Sequence, residues 1–351
     1  MKASKKLKLK LVHAACLILT VCMLLISCGG ATAMTLDDTS ISANIYYYWL
    51  SQYKGYFLES FSGASDTAGF WKSNIADGVV MEDYLRDIAD TNIKKNLAGL
   101  WLYDKLGLSV SDSQIDSVDA DLADLVDSYG SKAMLNQELA NYHINYNILR
   151  DIYVMQEKLS ALEDYFIGEN GVMLPSDEQL DSYYRDHYTR IKYISLNLFN
   201  SETDSSGATQ TIDMTAEEKE EIKELAESLA AEIRAGGDID KLIAEHSDED
   251  MSAYKNGVYI PDTITGYDLI DFALAMDIGA AEVIAMSKCV YVVKRLELED
   301  KPYTKDEMNQ FADLVYNCSF EQYQEMLKSY IANIEVNSQI ADEYTLSSIY
   351  Y

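Results

Sequence analysis

Between Ala43 and Pro175 the apolar and aromatic positions recur at helical spacing. Ile45, Tyr48, Trp49, Tyr53 and Leu58 fall near i, i+3 and i+4, and Tyr84, Ile88, Ile93, Leu97 and Trp101 repeat the pattern, which predicts two long helices with one apolar face each. Ser111 followed by Gln114 has the form of a capping box, and residues 144–167 read as a further long helix. An all-helical lobe is therefore expected over residues 43–175. The period changes at Arg190. Ile191, Tyr193, Ser195, Asn197 and Phe199 alternate with Lys192, Ile194, Leu196 and Leu198, the two-residue repeat of a strand. A polar stretch through Asp204-Ser205-Ser206-Gly207 reads as a loop, Thr215 with Glu218 opens a helix to Ala235, and Gly236-Gly237 stops it. Beyond it, residues 238–246 and 267–275 read as short helices and residues 282–285 and 289–296 as strands.

Two prolines bracket this change of texture. Pro175 closes the helical run, and Pro302 ends the mixed block, after which Thr304 with Glu307 is expected to cap a long helix to about residue 330. Residues 28–42 are small and polar and read as a flexible tether. The fold class is α+β: a helical lobe over 43–175, an α/β domain inserted over 176–302, and a C-terminal helix and tail over 303–351 that returns to pack on the first lobe. Three domains packed in series are the alternative.

The N-terminus changes the picture of where the chain works. Lys2, Lys5, Lys6, Lys8 and Lys10 precede an apolar run from Leu11 to Ile26, the charge step and short greasy core of an export signal, too short to span a bilayer. The run ends in Leu25-Ile26-Ser27-Cys28-Gly29-Gly30, which resembles the lipobox of bacterial lipoproteins. That resemblance implies cleavage before Cys28, lipid on its thiol, and attachment to the outer face of the cell membrane. An ordinary secretory signal is the alternative. Removing residues 1–27 takes away five lysines and no acid, so a formal net charge of −30 becomes −35. Such a field repels nucleic acid, which is excluded as a partner. Cys289 and Cys318 are then the thiols left unmodified; they either form one bridge or stay separate, and no disulfide framework exists. No cysteine and histidine cluster has metal spacing, so neither metal nor cofactor is expected.

The residues also carry a resemblance to a known family. The stretch from Glu232-Ile233-Arg234-Ala235-Gly236-Gly237-Asp238 through His246-Ser247-Asp248-Glu249 resembles the parvulin-type peptidyl-prolyl isomerases, in which a helix ends in glycine, a second short helix follows, and serine and acids come next. Asp271-Phe272-Ala273-Leu274 is similar to a further family helix, and Val290-Tyr291-Val292-Val293-Lys294 to a family strand. Together with the lipobox and the surrounding helical lobe, the chain resembles the PrsA-type foldase lipoproteins, related in plan to the periplasmic chaperone SurA. The resemblance implies a membrane-anchored foldase or chaperone whose partners are unfolded or partly folded exported polypeptides; oligomeric state is left open. It places the two family histidines on Tyr193 and Tyr291 and the acid on Glu249 or a neighbour in Asp248-Glu249-Asp250. The pocket for the proline ring falls on Tyr267 and Phe272, with Thr263 where the family prefers methionine. Two tyrosine hydroxyls can donate and accept as the histidines do, so a Tyr193, Tyr291 and Glu249 network is one reading. The other is a fold retained without isomerase activity in a binding or scaffold lipoprotein, which the missing glycine-rich turn at Asn256-Gly257-Val258-Tyr259 favours.

A second place for client contact lies in the helical lobe. Tyr46, Tyr47, Tyr48, Trp49, Tyr53, Tyr56 and Phe57 form an aromatic cluster broader than one buried stripe. Tyrosine offers wide amphipathic contact at low entropic cost, so the cluster reads either as a groove for unfolded segments or as helix packing.

Overall fold

The computed structural model describes residues 30–61, 63–76, 78–203, 209–305 and 308–351. The export segment 1–27, Cys28, the Asp204-Ser205-Ser206-Gly207 stretch and Glu307 lie outside them. The chain divides into two compact units: residues to Met173 together with Phe320–Tyr351, and Leu174–Ser319. The second is thus inserted in the sequence of the first. No described helix is long and apolar enough to cross a membrane.

The first unit is built on the helices Ala43–Ser60, Met81–Lys105, Asp112–Ser128, Lys132–Leu139 and Tyr146–Ile167. Ser111 caps the third with the reciprocal Gln114 contact that the sequence pattern predicts. Leu50, Leu85, Ile93, Leu97, Leu122 and Ile152 form the fully buried centre. Gly99 allows two of these helices to close on one another, because a Cβ there would stand 2.6 Å from Cδ2 of Leu159. The aromatic cluster is mostly helix packing: Tyr46, Tyr47, Trp49 and Phe57 are buried, Tyr48 and Tyr53 pack against the same core, and only Tyr56 of the seven stands in solvent. Of the seven, Tyr53 lines a cleft of about 470 Å³ with Lys95, Leu159, Phe320 and Tyr323.

Residues 32–42 are not a tether. Thr32–Leu36 and Thr39–Ser42 form an antiparallel hairpin, turned at Asp37 with φ 51°, and its outer edge is completed by Glu335–Val336. The reason is burial, since Ala33, Met34, Leu36 and Ile41 are inside the core despite their small polar neighbours.

The C-terminal tail completes this unit. Leu346 and Ile349 are buried, and Arg86 donates to the carbonyls of Ala341 and Tyr344. Lys54, 1% exposed, donates to the Ile349 carbonyl at 2.8 Å, pairs with Asp66 at 2.9 Å, and lies over the ring of Tyr351. A buried ammonium is tolerable only with partners on every side, and here the tail supplies two of them.

The second unit centres on a four-stranded antiparallel sheet in the order Val258–Pro261, Tyr188–Asn197, Cys289–Leu296, Ala281–Ala285. Ile194, Leu196, Val290 and Val292 bury one face against the helices Ala216–Arg234 and Ile239–His246, and Ile191 and Val293 face the other way toward the helix Asp268–Ala275. Capping boxes at Ser176 and Thr215 start the helices Asp177–His187 and Ala216–Arg234. Two readings change. The polar stretch after Leu198 is spanned by a hairpin, Phe199–Thr203 paired with Thr209–Asp213. The last long helix is Leu314–Tyr330, starting later than the Thr304 cap implied. Residues 303–319 belong to the second unit because Phe311, Leu314 and Cys318 are buried against Tyr183, Tyr184, Tyr188 and Tyr259. Cys289 and Cys318 remain separate thiols with no bridge between them.

Burial of tyrosines sets an alkaline limit on stability. Desolvation raises the hydroxyls of Tyr46 and Tyr184 well above their ordinary value. Below the unfolded value of about 10 both forms hold the proton and the stability is intact; above it the unfolded chain ionises first, and each such tyrosine withdraws up to ~1.4 kcal/mol per pH unit until its folded value is reached. Unfolding should therefore set in just above pH ~10, with tyrosinate absorbance rising together with loss of helical dichroism. Ionisation of all 27 tyrosines while the dichroism stays native would contradict this.

Candidate functional site

The sheet register brings the predicted residues together. Tyr193 lies opposite Val293 and Ser195 opposite Tyr291, so all four side chains share one face. The rings of Tyr193 and Tyr291 meet edge to face, 5.5 Å apart at 85°. The Tyr193 hydroxyl donates to Oε1 of Glu249 at 3.0 Å, although 56 residues separate them.

Glu249 is held there by a loop fastened to the central strand. Asp238 caps the helix Ile239–His246, accepting from the backbone of Asp240 and Lys241, and the chain leaves that helix at Ser247. The Ser195 amide donates to Oγ of Ser247 at 3.2 Å, the Asp248 amide donates to the Ser195 carbonyl at 2.8 Å, and the Asn197 amide donates to Oδ2 of Asp248 at 2.7 Å. Ser247 in turn donates to the Glu249 carbonyl at 2.9 Å. Glu249 is thus the acid that reaches Tyr193, while Asp248 serves the backbone of the strand.

Both hydroxyls are held in the protonated form. Burial, then the hydrogen bond to Glu249 and its charge, raise Tyr193 well above the ordinary tyrosine value. Tyr291 is pushed up to about 12, first by a hydrogen bond with the Cys289 thiol, then by burial, with a Ser195 hydrogen bond acting the other way. At neutral pH the face presents two uncharged O–H groups beside one carboxylate. Ser195 and Cys289 were not singled out from the sequence. The signal was there in the strand alternation, since each sits two residues from a chosen tyrosine on the same face.

The expected proline pocket is less complete. Phe272 packs in the same apolar cluster as Tyr193 and Tyr291, with Ile191, Met276 and Val293. Tyr267 is 65% exposed at the start of the helix Asp268–Ala275, and Thr263 is also exposed. Among the described residues no ring contact or hydrogen bond joins either to Tyr193, Tyr291 or Glu249. Of the expected pocket residues, then, Phe272 lies in the cluster with the two tyrosines, while Tyr267 and Thr263 stand in solvent. A cleft of about 670 Å³ opens instead on the other side of Glu249, with Lys192, Asp240 and Met251 in its walls.

A family model matches this α/β unit. Residues 193–299 match the PPIC-type PPIASE domain. The PPIC-type stretch begins on Tyr193, includes Glu249 and Tyr291, and lies within the inserted unit. No curated protein matches the chain. Among solved structures it is similar to PrsA from Bacillus subtilis at 14% identity and a TM-score of 0.25, over 75% of this chain and 92% of that one. Foldase protein PrsA from Streptococcus pneumoniae is similar at 16% identity and a TM-score of 0.25, over 78% of this chain and 97% of that one. Peptidylprolyl isomerase (PrsA) from Bacillus cereus is similar at 17% identity and a TM-score of 0.26, over 78% and 97% of the two chains. The architecture is a helical lobe carrying a PPIC-type domain within its sequence.

Proposed function

We propose that this chain is a foldase for exported polypeptides, anchored through lipid on Cys28 at the outer face of the cell membrane, and that its PPIC-type domain isomerises X-Pro bonds at Tyr193, Tyr291 and Glu249. The observation that carries the isomerase reading is the meeting of these three side chains on one sheet face. Isomerisation breaks no covalent bond; it must pass a barrier of ~18–20 kcal/mol set by amide conjugation. A site accelerates it by favouring the twisted amide over the planar one. Twisting localises the lone pair on the proline nitrogen, which then accepts a hydrogen bond that the planar amide cannot. A neutral tyrosine hydroxyl is a suitable donor once a bound client draws its proton from the resting partner, which for Tyr193 is Glu249, and the raised values of Tyr193 and Tyr291 keep both protonated. Glu249 fixes the Tyr193 hydroxyl, and Phe272 with its neighbours offers the apolar side for the ring.

The experiment is a protease-coupled assay on a proline peptide with the chain lacking residues 1–27. Tyr193→Phe and Tyr291→Phe should each slow catalysis about tenfold, the worth of one hydrogen bond of about 1.4 kcal/mol. A wild-type rate no greater than the buffer control ends the isomerase reading. The anchor is tested separately by mass spectrometry of the processed protein, where an unmodified amino terminus or a start other than Cys28 would overturn it.

A second reading, a binding lipoprotein that keeps the fold without the activity, is favoured by the exposure of Tyr267 and Thr263. It predicts undiminished suppression of client aggregation in the double Tyr193→Phe, Tyr291→Phe variant and no isomerase activity in the wild type.

A further inference from the structure

The cleft beside Glu249 has its own chemistry. Ile243, Ala244 and Met251 give it apolar walls, while Asp240, Glu249 and Asp250 set carboxylates at its rim, and its volume is about 670 Å³. Lys192, with a side chain only 9% exposed, contributes a cation that Asp240 meets at 2.5 Å, and against the second cation of the lining, Lys255, stand Asp248, Glu249 and Asp250, so the remaining charge is negative. Glu249 belongs to both places: it lines the cleft and accepts from Tyr193. A side chain seated in the cleft therefore lies next to a group bound on the tyrosine face. Greasy walls with an anionic rim suit a long aliphatic stem ending in a cation, since lysine and arginine bury their methylenes and keep the charged head at the polar edge.

We propose that this cleft is a specificity subsite taking the lysine or arginine side chain of a client residue that directly neighbours the proline. The proposal rests on the isomerase reading for the proline's position, and the test separates the two. Peptides with one proline and Arg, Ala or Glu at either neighbouring position are compared by direct binding and by isomerisation, using the chain lacking residues 1–27. The Arg peptide should be favoured over the Glu peptide about fivefold, as a few partly exposed carboxylate contacts allow. Asp250→Lys should remove the preference, read as the ratio of Arg to Glu peptide within the variant itself, and added salt should weaken it in the wild type. Preference in binding with no turnover for any peptide keeps the subsite and ends the isomerase reading. Turnover or binding indifferent to the neighbour, or a preference that survives in Asp250→Lys, overturns the subsite.

Discussion

Deleting residues 338–351 should unfold the helical unit. The segment buries Leu346 and Ile349, each contributing roughly 1.5–3 kcal/mol. It also takes from Arg86 the carbonyls of Ala341 and Tyr344, and from Lys54 the carbonyl of Ile349 and the ring of Tyr351. Lys54 would keep Asp66 but lose that carbonyl, and a hydrogen bond to a charged group is worth about 1.5–3 kcal/mol. The sum reaches the whole stability of an ordinary domain, ~5–15 kcal/mol. The measurement is direct, because Trp49, Trp71 and Trp101 all lie in this unit and tryptophan fluorescence reports it alone. A truncated chain that keeps a cooperative fluorescence transition within a few degrees of the full chain would show that the tail is dispensable.

The second large effect belongs to the other unit. Gly257 has φ +97°, and a Cβ on it would stand 2.6 Å from the carbonyl oxygen of Ile191. That oxygen belongs to the central strand, where Ile191 lies opposite Val258, so relief of the clash must move backbone. Gly257→Ala adds the left-handed cost of ~1–2 kcal/mol to that displacement, for a total of about 3–4 kcal/mol. The damage should spread to the buried network beside it, in which Tyr259 donates to Glu299 at 2.9 Å and Arg190 pairs with Glu299 at 2.8 Å. The variant should unfold early by tyrosine near-ultraviolet dichroism while the tryptophan transition stays in place. A substitution without effect on either signal would mean the turn relaxes freely. Gly257 thus performs a structural task even though the glycine-rich turn of the family pattern is absent.

How much of this was legible in the sequence can be argued residue by residue. Ser111, Ser176 and Thr215 open helices as capping boxes because both halves of the device lie three residues apart, and local chemistry alone decides them. The strand Cys289–Leu296 was readable from its β-branched run. The hairpin of residues 32–42 was not, because Thr32-Ala33-Met34-Thr35-Leu36 carries little apolar contrast and becomes a strand by pairing with Glu335–Val336 at the far end of the chain. The bounds of the strand Val258–Pro261 were not legible for the same reason: it is four residues long and is defined by its partner. Of the candidate site, Tyr193 and Tyr291 could be placed on one strand face each, but their contact depends on which register the two strands adopt.

The sequence by itself determined the local facts: where helices begin, where the period turns from helical to extended, and the acidic balance of the chain. These follow from interactions over a few residues or from charge summed over the chain. Tertiary structure decided that a buried lysine and the last residues hold each other, that Glu249 rather than its acidic neighbours reaches Tyr193, and that Tyr267 stays in solvent. Each of those depends on contacts between segments far apart in the chain, whose geometry no local pattern carries.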